Sequence, residues 1–231
     1  MGLESIDWQE AGAVLDAQGW AVVPGLLGPQ SCGEAAALWR EAARFRSRVD
    51  MARHGFGRGE YRYFAYPLPA GMARLRSALY PPLAEVANRW QALLGRSDRF
   101  PETHDDYLVR CRGAGQTRPT PLLLRYGPGD YNCLHQDLYG AEAFPLQVAI
   151  LLSRPGEDFA GGEFLLAEQR PRRQSRATVV PLGQGDAVIF AVSERPVEGT
   201  RGCYRTRMKH GVSTVRTGER FTLGLIFHDA A

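Results

Sequence analysis

Past about residue 107 the chain breaks into short apolar runs bounded by Gly, Pro and Asp. They are "YLVRC", "PLLLRY", "LQVAILL", "GEFLLA", "ATVVPL", "DAVIFAV", "KHGVSTV" and "RFTLGLIF". Runs of this length and spacing predict the strands of an antiparallel sandwich or barrel with helices packed outside. Before residue 100 the texture differs. "GWAVVPGLL" (19–27) predicts a short strand leading to a loop, and "PQSCGEAAALWREAARF" (29–45) a helix with Pro29 or Ser31 near its start. A second helix is expected within 72–94, broken or restarted at Pro81-Pro82. "RTGE" (216–219) reads as a tight turn, with Gly218 supplying a positive φ, so the last two runs are expected to form a hairpin. The expectation is one α+β domain, mainly β. Residues 1–100 form a helical region with a short leading strand, and residues 101–231 form the β core.

Composition supports one folded unit. Of 231 residues, 44% are hydrophobic and 23% charged, ordinary values for a globular chain. No apolar run reaches the ~18 residues a bilayer span needs. "MGLESIDWQE" has neither a basic nor an apolar leader segment, so no signal peptide is expected. Cys32, Cys111, Cys133 and Cys203 form no C-x-x-C pair, which favours reduced thiols and a cytoplasmic location. Net charge is only +3, yet of the 28 basic residues all but Lys209 are arginine. The bland reading of that bias is a genome that favours arginine codons. "RPRRQSR" (170–176) and "RGCYRTRMK" (201–209) are nevertheless cationic runs with no acid among them. Such runs can hold phosphates or be solvated loops.

Candidate chemistry centres on "NCLHQDLYG" (132–140). His-x-Asp alone is a weak motif, and its bland alternative is a loop histidine bonded to a nearby carboxylate. On a strand, however, His135 and Asp137 would share one face. His210, opening its own strand, is the best third ligand. Two histidines and a carboxylate on one face of an iron leave three open positions, the arrangement of non-haem Fe(II) oxygenases. Arg220 could then clamp the distal carboxylate of 2-oxoglutarate, a task suited to a planar bidentate donor. Its face carries Thr222, Gly224, Ile226 and His228, while Phe221, Leu223, Leu225 and Phe227 look like packing. His228 would lie about 26 Å along an extended strand from Arg220, a poor alternative ligand.

The motifs occur in the order found in one known family. "RYGPGDYNCLHQD", "DFAGGEFLL", "GQGDAVIF" and "KHGVSTVRTGERFTLGLIF" resemble the Fe(II)/2-oxoglutarate-dependent dioxygenase superfamily, close to the prolyl 4-hydroxylase type. The resemblance covers about residues 19–228 and implies a double-stranded β-helix (jelly roll) with N-terminal helices packed outside. It implies Fe(II) held by His135, Asp137 and His210, with 2-oxoglutarate and O2 as co-substrates and ascorbate as a candidate reductant. Prolyl hydroxylases of this type usually carry lysine where this chain has Arg220; related branches use arginine. Tyr126 is implied as a co-substrate neighbour, and Tyr131 as a neighbour of the site. Each is also readable as a core or rim aromatic. "AEQRPRRQSR" with "RPVEGTRGCYRTRMKHGVS" resembles, more narrowly, a bacterial group linked to AlkB-like oxidative demethylation of damaged DNA.

Several readings stay open at this point. Arg207, three residues before His210, meets substrate or co-substrate, or forms a rim salt bridge. His54, in the Gly/Arg-rich stretch "RHGFGRGEYRYF" that reads as a loop, belongs to a substrate lid or the surface, and His104 in "THDD" is assigned to surface structure. The substrate is methylated DNA or RNA, gripped by the cationic runs and residues 53–62, or else a peptide or small molecule. A jelly-roll binding protein that has lost catalysis is the alternative of a different class. No membrane association and no protein partner are inferred.

Overall fold

The computed structural model describes residues 2–138, 140–200 and 202–231. In chain order, α1 (Trp8–Gln18) is followed by β1 (Trp20–Val23), α2 (Pro29–Ala37), β2 (Phe45–Asp50), β3 (Gly57–Arg58) and β4 (Glu60–Phe64). Two more helices follow, α3 (Ala70–Leu93) and α4 (His104–Gly113). Then come β5 (Leu122–Tyr126), β6 (Tyr131–His135), β7 (Leu146–Leu151), β8 (Phe159–Gly161), β9 (Phe164–Gln169) and β10 (Arg176–Val180). The last strands are β11 (Ala187–Ala191), β12 (Glu194–Gly199), β13 (Gly202–Val212), β14 (Val215–Gly218) and β15 (Arg220–Leu225).

Two antiparallel sheets form the jelly roll. One has the order β1-β11-β7-β15-β5-β4-β2, the other β10-β9-β13-β6-β3 with β12 added beside β13. Alternation explains why the first sheet is buried on both faces. Leu146, Val148 and Ile150 of β7 join Ala187, Ile189, Leu223 and Leu225 in a core shared with Leu79, Tyr80, Leu83 and Trp90 of α3. Ala149 and Leu151, of opposite parity, pack with residues of the second sheet. The helices therefore cover the outer face, and the space between the sheets is left for a cavity. No helix among the described residues is long and apolar enough to cross a membrane.

Tertiary context overrode several local expectations. "YLVRC" is not a strand but part of α4. Thr103 Oγ1 accepts from the Asp106 N–H at 3.2 Å, Asp105 and Asp106 occupy the first turn, and Arg110 and Arg112 the last. The helix over 72–94 runs unbroken through Pro81 and Pro82. An interior proline costs ~3 kcal/mol, but each large side chain that α3 buries returns about 1.5–3 kcal/mol. The helix expected over 29–45 ends at Ala37; short 3₁₀ turns follow, and Phe45 already begins β2. Residues 57–58 and 60–64, read as loop, are strands, and "EYRYF" pairs with both β2 and β5. Region 1–100 thus supplies β1, β2, β3 and β4 to the same sheets as the β core.

The expected terminal hairpin does not form. β13 belongs to the second sheet and β15 to the first, with β14 between them pairing with β8. Gly218 does adopt φ 77°. It lies so close to the Asp158 carbonyl that a Cβ would stand 2.0 Å from that oxygen. The Glu219 N–H donates to Asp158 O at 3.0 Å and the Val215 N–H to Asp130 O at 2.8 Å. With these groups engaged elsewhere, the chain crosses from one sheet to the other instead of turning back on β13.

His104 is buried, not a surface residue. Its Nε2–H donates to the Phe227 carbonyl at 2.8 Å, and His228 Nδ1 accepts from the Phe144 N–H at 3.1 Å. Burial, then the nearby Arg76 guanidinium, pushes each imidazole down to about 4 from an ordinary 6.5. Both folded-state values lie below the unfolded one, so the unfolded chain binds more protons between pH 6.5 and 4. Their contribution is complete above pH 6.5, is lost as pH falls toward 4, and changes little below that. The unfolding free energy from urea titrations should fall by a few kcal/mol in total between pH 7 and pH 4, since each shift is worth on the order of 3 kcal/mol at most. A flat profile over that window would sink this account.

Candidate metal centre

β6 and β13 bring the two histidines together. His135 and His210 are register partners, and their ring centroids lie 4.1 Å apart. Asp137 lies two residues beyond the end of β6 and turns back between them. Its oxygens stand 3.5 Å from His135 Nε2 and 3.4 Å from His210 Nε2. One ligand atom from each residue falls within 4.8 Å of the others. Cis ligands about 2.1 Å from an ion stand about 3 Å apart, so a small inward shift completes a facial triad. His135 Nδ1–H donates to the Cys133 carbonyl at 2.7 Å, which leaves the Nε2 lone pair for a metal. Burial, then the neighbouring His210, holds the His135 imidazole below its usual range and so favours the neutral ligand form. His210 is wedged against Phe190, ring centroids 4.6 Å apart. A His/Asp/His triad of this donor set fits Fe(II).

Arg220 enters the same cavity from the opposite sheet. β15 pairs with β5 so that Arg220 faces Tyr126, and the guanidinium carbon lies 5.6 Å from the Tyr126 ring centroid and 5.9 Å from that of Phe159. The arginine is 1% exposed, and burial drives its pKa down to about 10. Its Nη1 donates to Thr222 Oγ1, while its Nε has no partner and no carboxylate forms an ion pair with it among the described residues. Glu163 supports the guanidinium charge only from beyond ion-pair distance; a buried cation without a paired counter-charge is expensive, and a bound carboxylate would lower that cost. The small residues Thr222 and Gly224 continue its face along the cavity, as the alternation of the sequence predicts.

The cavity, ≈ 200 Å³, is lined by all three triad residues and by Tyr126, Arg220, Thr222 and Ile226. Tyr126 is fully buried, and its hydroxyl accepts from Asn132 Nδ2 at 3.4 Å. Burial raises its pKa despite the neighbouring Arg220. Tyr131 and Arg207 are not among the cavity's lining residues. Arg207 has the opposite parity to His210 on β13 and is exposed on the outer face; Tyr131 lies at the surface. His54 is exposed and stacks on Phe56 at 5.3 Å, and Phe56 does line the cavity. Tyr61, Tyr63 and Gln147 also line it, and sequence reasoning passed over all three. The tyrosines had a signal, the alternation of "EYRYF". Gln147 stood out only as a lone polar residue in an apolar run.

The two cationic runs, distant in sequence, come together in space. β13 pairs with β9 so that Arg207 opposes Gln169, next to the 170–176 turn. Arg172, Arg173, Arg176, Arg205, Arg207 and Lys209 are exposed around this end of the second sheet; Arg201 lies outside the described residues.

A family named Oxygenase-NA, described as oxygenases catalysing oxidative methylation of damaged DNA, matches residues 59–230. The chain belongs to this family. With its His/Asp/His triad, this Oxygenase-NA member is an Fe(II)/2-oxoglutarate-dependent oxygenase. It is 54% identical over 168 residues to an uncharacterised protein of Mycobacterium tuberculosis, in strains CDC 1551 and H37Rv, covering 73% of this chain and 72% of the relative. A Pseudomonas putida prolyl-4-hydroxylase shares the fold with TM-score 0.58 at 14% identity, covering 97% of this chain and 99% of that one. An oxidoreductase of the 2OG-Fe(II) oxygenase family from Burkholderia pseudomallei gives TM-score 0.55 at 16% identity, covering 98% and 94%. At such identities the likeness concerns the fold alone.

Proposed function

We propose that His135, Asp137 and His210 hold Fe(II), that Arg220 and Thr222 bind the distal carboxylate of 2-oxoglutarate beside Tyr126, and that the enzyme oxidises an N-methyl group on damaged nucleic acid. The observation that carries the co-substrate assignment is Arg220, a buried cation on the triad's cavity that forms no ion pair among the described residues. When bound, Fe(II) with 2-oxoglutarate and O2 supplies the oxidation: CO2 leaves, one oxygen atom enters succinate and the other enters the substrate C–H bond. A hydroxylated N-methyl group then collapses to formaldehyde and the free N–H.

The protein's own part is binding and orientation. The Cys133 carbonyl fixes the His135 tautomer, Phe190 limits rotation of His210, and the largely apolar cavity lining excludes water. Ascorbate would serve only to restore Fe(II) after turnover without substrate. The exposed arginines of 170–176 and 205–207 support the nucleic-acid reading, since phosphate contacts carry most of such affinity.

Hydroxylation of a prolyl peptide or small molecule is the second reading. It is favoured by the number of prolyl hydroxylases among structures of this fold, including one from Trichoplax adhaerens in complex with a peptide fragment, TM-score 0.52. A panel of N-methylated single- and double-stranded DNA, RNA and proline-containing peptides separates the two. Succinate formation should rise above the substrate-free rate with methylated nucleic acid, together with equimolar formaldehyde, and binding should weaken steeply with salt. Stimulation by peptide without formaldehyde would decide for the second reading.

A further inference from the structure

Gln147 is an anomaly in β7. Its neighbours Leu146, Val148, Ala149, Ile150 and Leu151 are all apolar and buried, and Gln147 itself is only 4% exposed. Its Nε2 has no hydrogen-bond partner among the described residues, although the side chain lines the cavity. Leaving a buried amide donor unpaired is costly. An acceptor on a bound molecule would remove that cost.

Strand register places Gln147 at the substrate end. β15 pairs with β7 through Thr222↔Leu151, Gly224↔Ala149 and Leu225↔Val148, so the next position, Ile226, falls opposite Gln147. That is six residues along from Arg220, roughly 20 Å at ~3.3 Å per residue. Strand side chains stand roughly perpendicular to the sheet, so along that distance a five-carbon dicarboxylate, about 6 Å long with C–C bonds of ~1.5 Å, covers less than half. Gln147 is therefore beyond a co-substrate anchored on Arg220. Across the other edge of β7 it pairs with Phe190, whose ring lies 4.6 Å from that of His210. The carboxamide thus stands by the triad, on the side away from Arg220.

Resting on the nucleic-acid reading above, we propose that Gln147 is a specificity-determining residue whose Nε2 donates to the ring carbonyl beside the methylated nitrogen of an N-methylated pyrimidine. The remaining walls suit a flat ring. Phe56, Tyr61, Tyr63 and Phe190 line the same cavity, and Phe56 is half exposed at its edge. Bases taken out of the stack are held between aromatic side chains and read by hydrogen bonds to their polar edge. In such a base the carbonyl carbon is bonded to the nitrogen that bears the methyl group. One fixed donor beside the triad therefore aims the carbon to be oxidised.

Gln147→Met conserves volume and removes both polar atoms; Gln147→Leu is the second variant. With Fe(II) and 2-oxoglutarate under anaerobic conditions, Kd is read by fluorescence anisotropy for two single-stranded oligonucleotides. One carries a single N3-methylcytosine; the other a single N6-methyladenine, which has no ring carbonyl. Wild type should bind the first roughly threefold to tenfold more tightly, and both variants should lose that preference. KM for the methylcytosine oligonucleotide should rise to match, with KM for 2-oxoglutarate changing less than twofold. Equal wild-type affinity for the two probes overturns the assignment even if neither variant folds, as does an unchanged preference in folded variants. Oxidation of a prolyl peptide but of neither oligonucleotide also overturns it. Succinate formed by wild type from Fe(II) and 2-oxoglutarate alone tests the oxygenase reading separately.

Discussion

Asp137→Ala should abolish Fe(II)-dependent succinate formation and leave purified protein unable to retain iron through dialysis. Asp137 is the only carboxylate of the triad and lies within 3.5 Å of both histidine Nε2 atoms. Without it two imidazoles remain, with no negative charge to offset a divalent ion and no third point to fix a face. Removing residues that merely support a ligand typically costs 10- to 100-fold in metal affinity or activity. Loss of a ligand should cost more than about 100-fold. Asp137 lies outside the strands and the apolar clusters, so its removal should leave the unfolding free energy of the metal-free protein, from urea titration, within about 0.5 kcal/mol. Iron content by mass spectrometry and succinate by chromatography check the two halves. A folded Asp137→Ala protein with stoichiometric iron and a tenth of wild-type turnover would rule out the triad.

Arg220→Met should produce two opposite effects. KM for 2-oxoglutarate should rise by about 100-fold, because truncating one partner of a buried, hydrogen-bonded charge pair costs 2–5 kcal/mol. The same substitution should raise the thermal midpoint of the protein without co-substrate, because it replaces an unpaired buried charge by an apolar chain of similar length. In wild type, excess 2-oxoglutarate with metal should raise the midpoint, since a ligand binding only the folded state stabilises it. In the variant that rise should disappear at the same concentration. Arg220→Lys keeps the charge but not the planar fork and should fall between the two. Loss of stability in ligand-free Arg220→Met would show that the guanidinium is compensated by the protein, and the co-substrate assignment would fail with it.

The β core was legible because its strands are short apolar runs with clear punctuation. "LQVAILL", "DAVIFAV" and "RFTLGLIF" became β7, β11 and β15. Errors came where local pattern and packing disagreed. "YLVRC" is a short apolar run that reads as a strand, but its Thr103 cap and the burial of Tyr107 and Cys111 four residues apart belong to a helix. Residues 57–64 are rich in Gly and Arg, which reads as loop. They are strands because β5 and β6 offer edges to pair with.

Ligand chemistry is local, so residue type and spacing alone determined that His135, Asp137, His210 and Arg220 were the residues to consider. Alternation along β15 likewise separated the face of Arg220, Thr222 and Gly224 from the packing face of Phe221, Leu223 and Leu225. Tertiary structure alone decided that His210 and Arg220 approach one another from two sheets and not along one hairpin. It also placed Arg207 on the outer face, buried His104 and His228, and set Gln147 beside Phe190. These outcomes depend on strand pairing between residues far apart in sequence. A side chain's burial and partners are set by that pairing, which the local pattern does not encode.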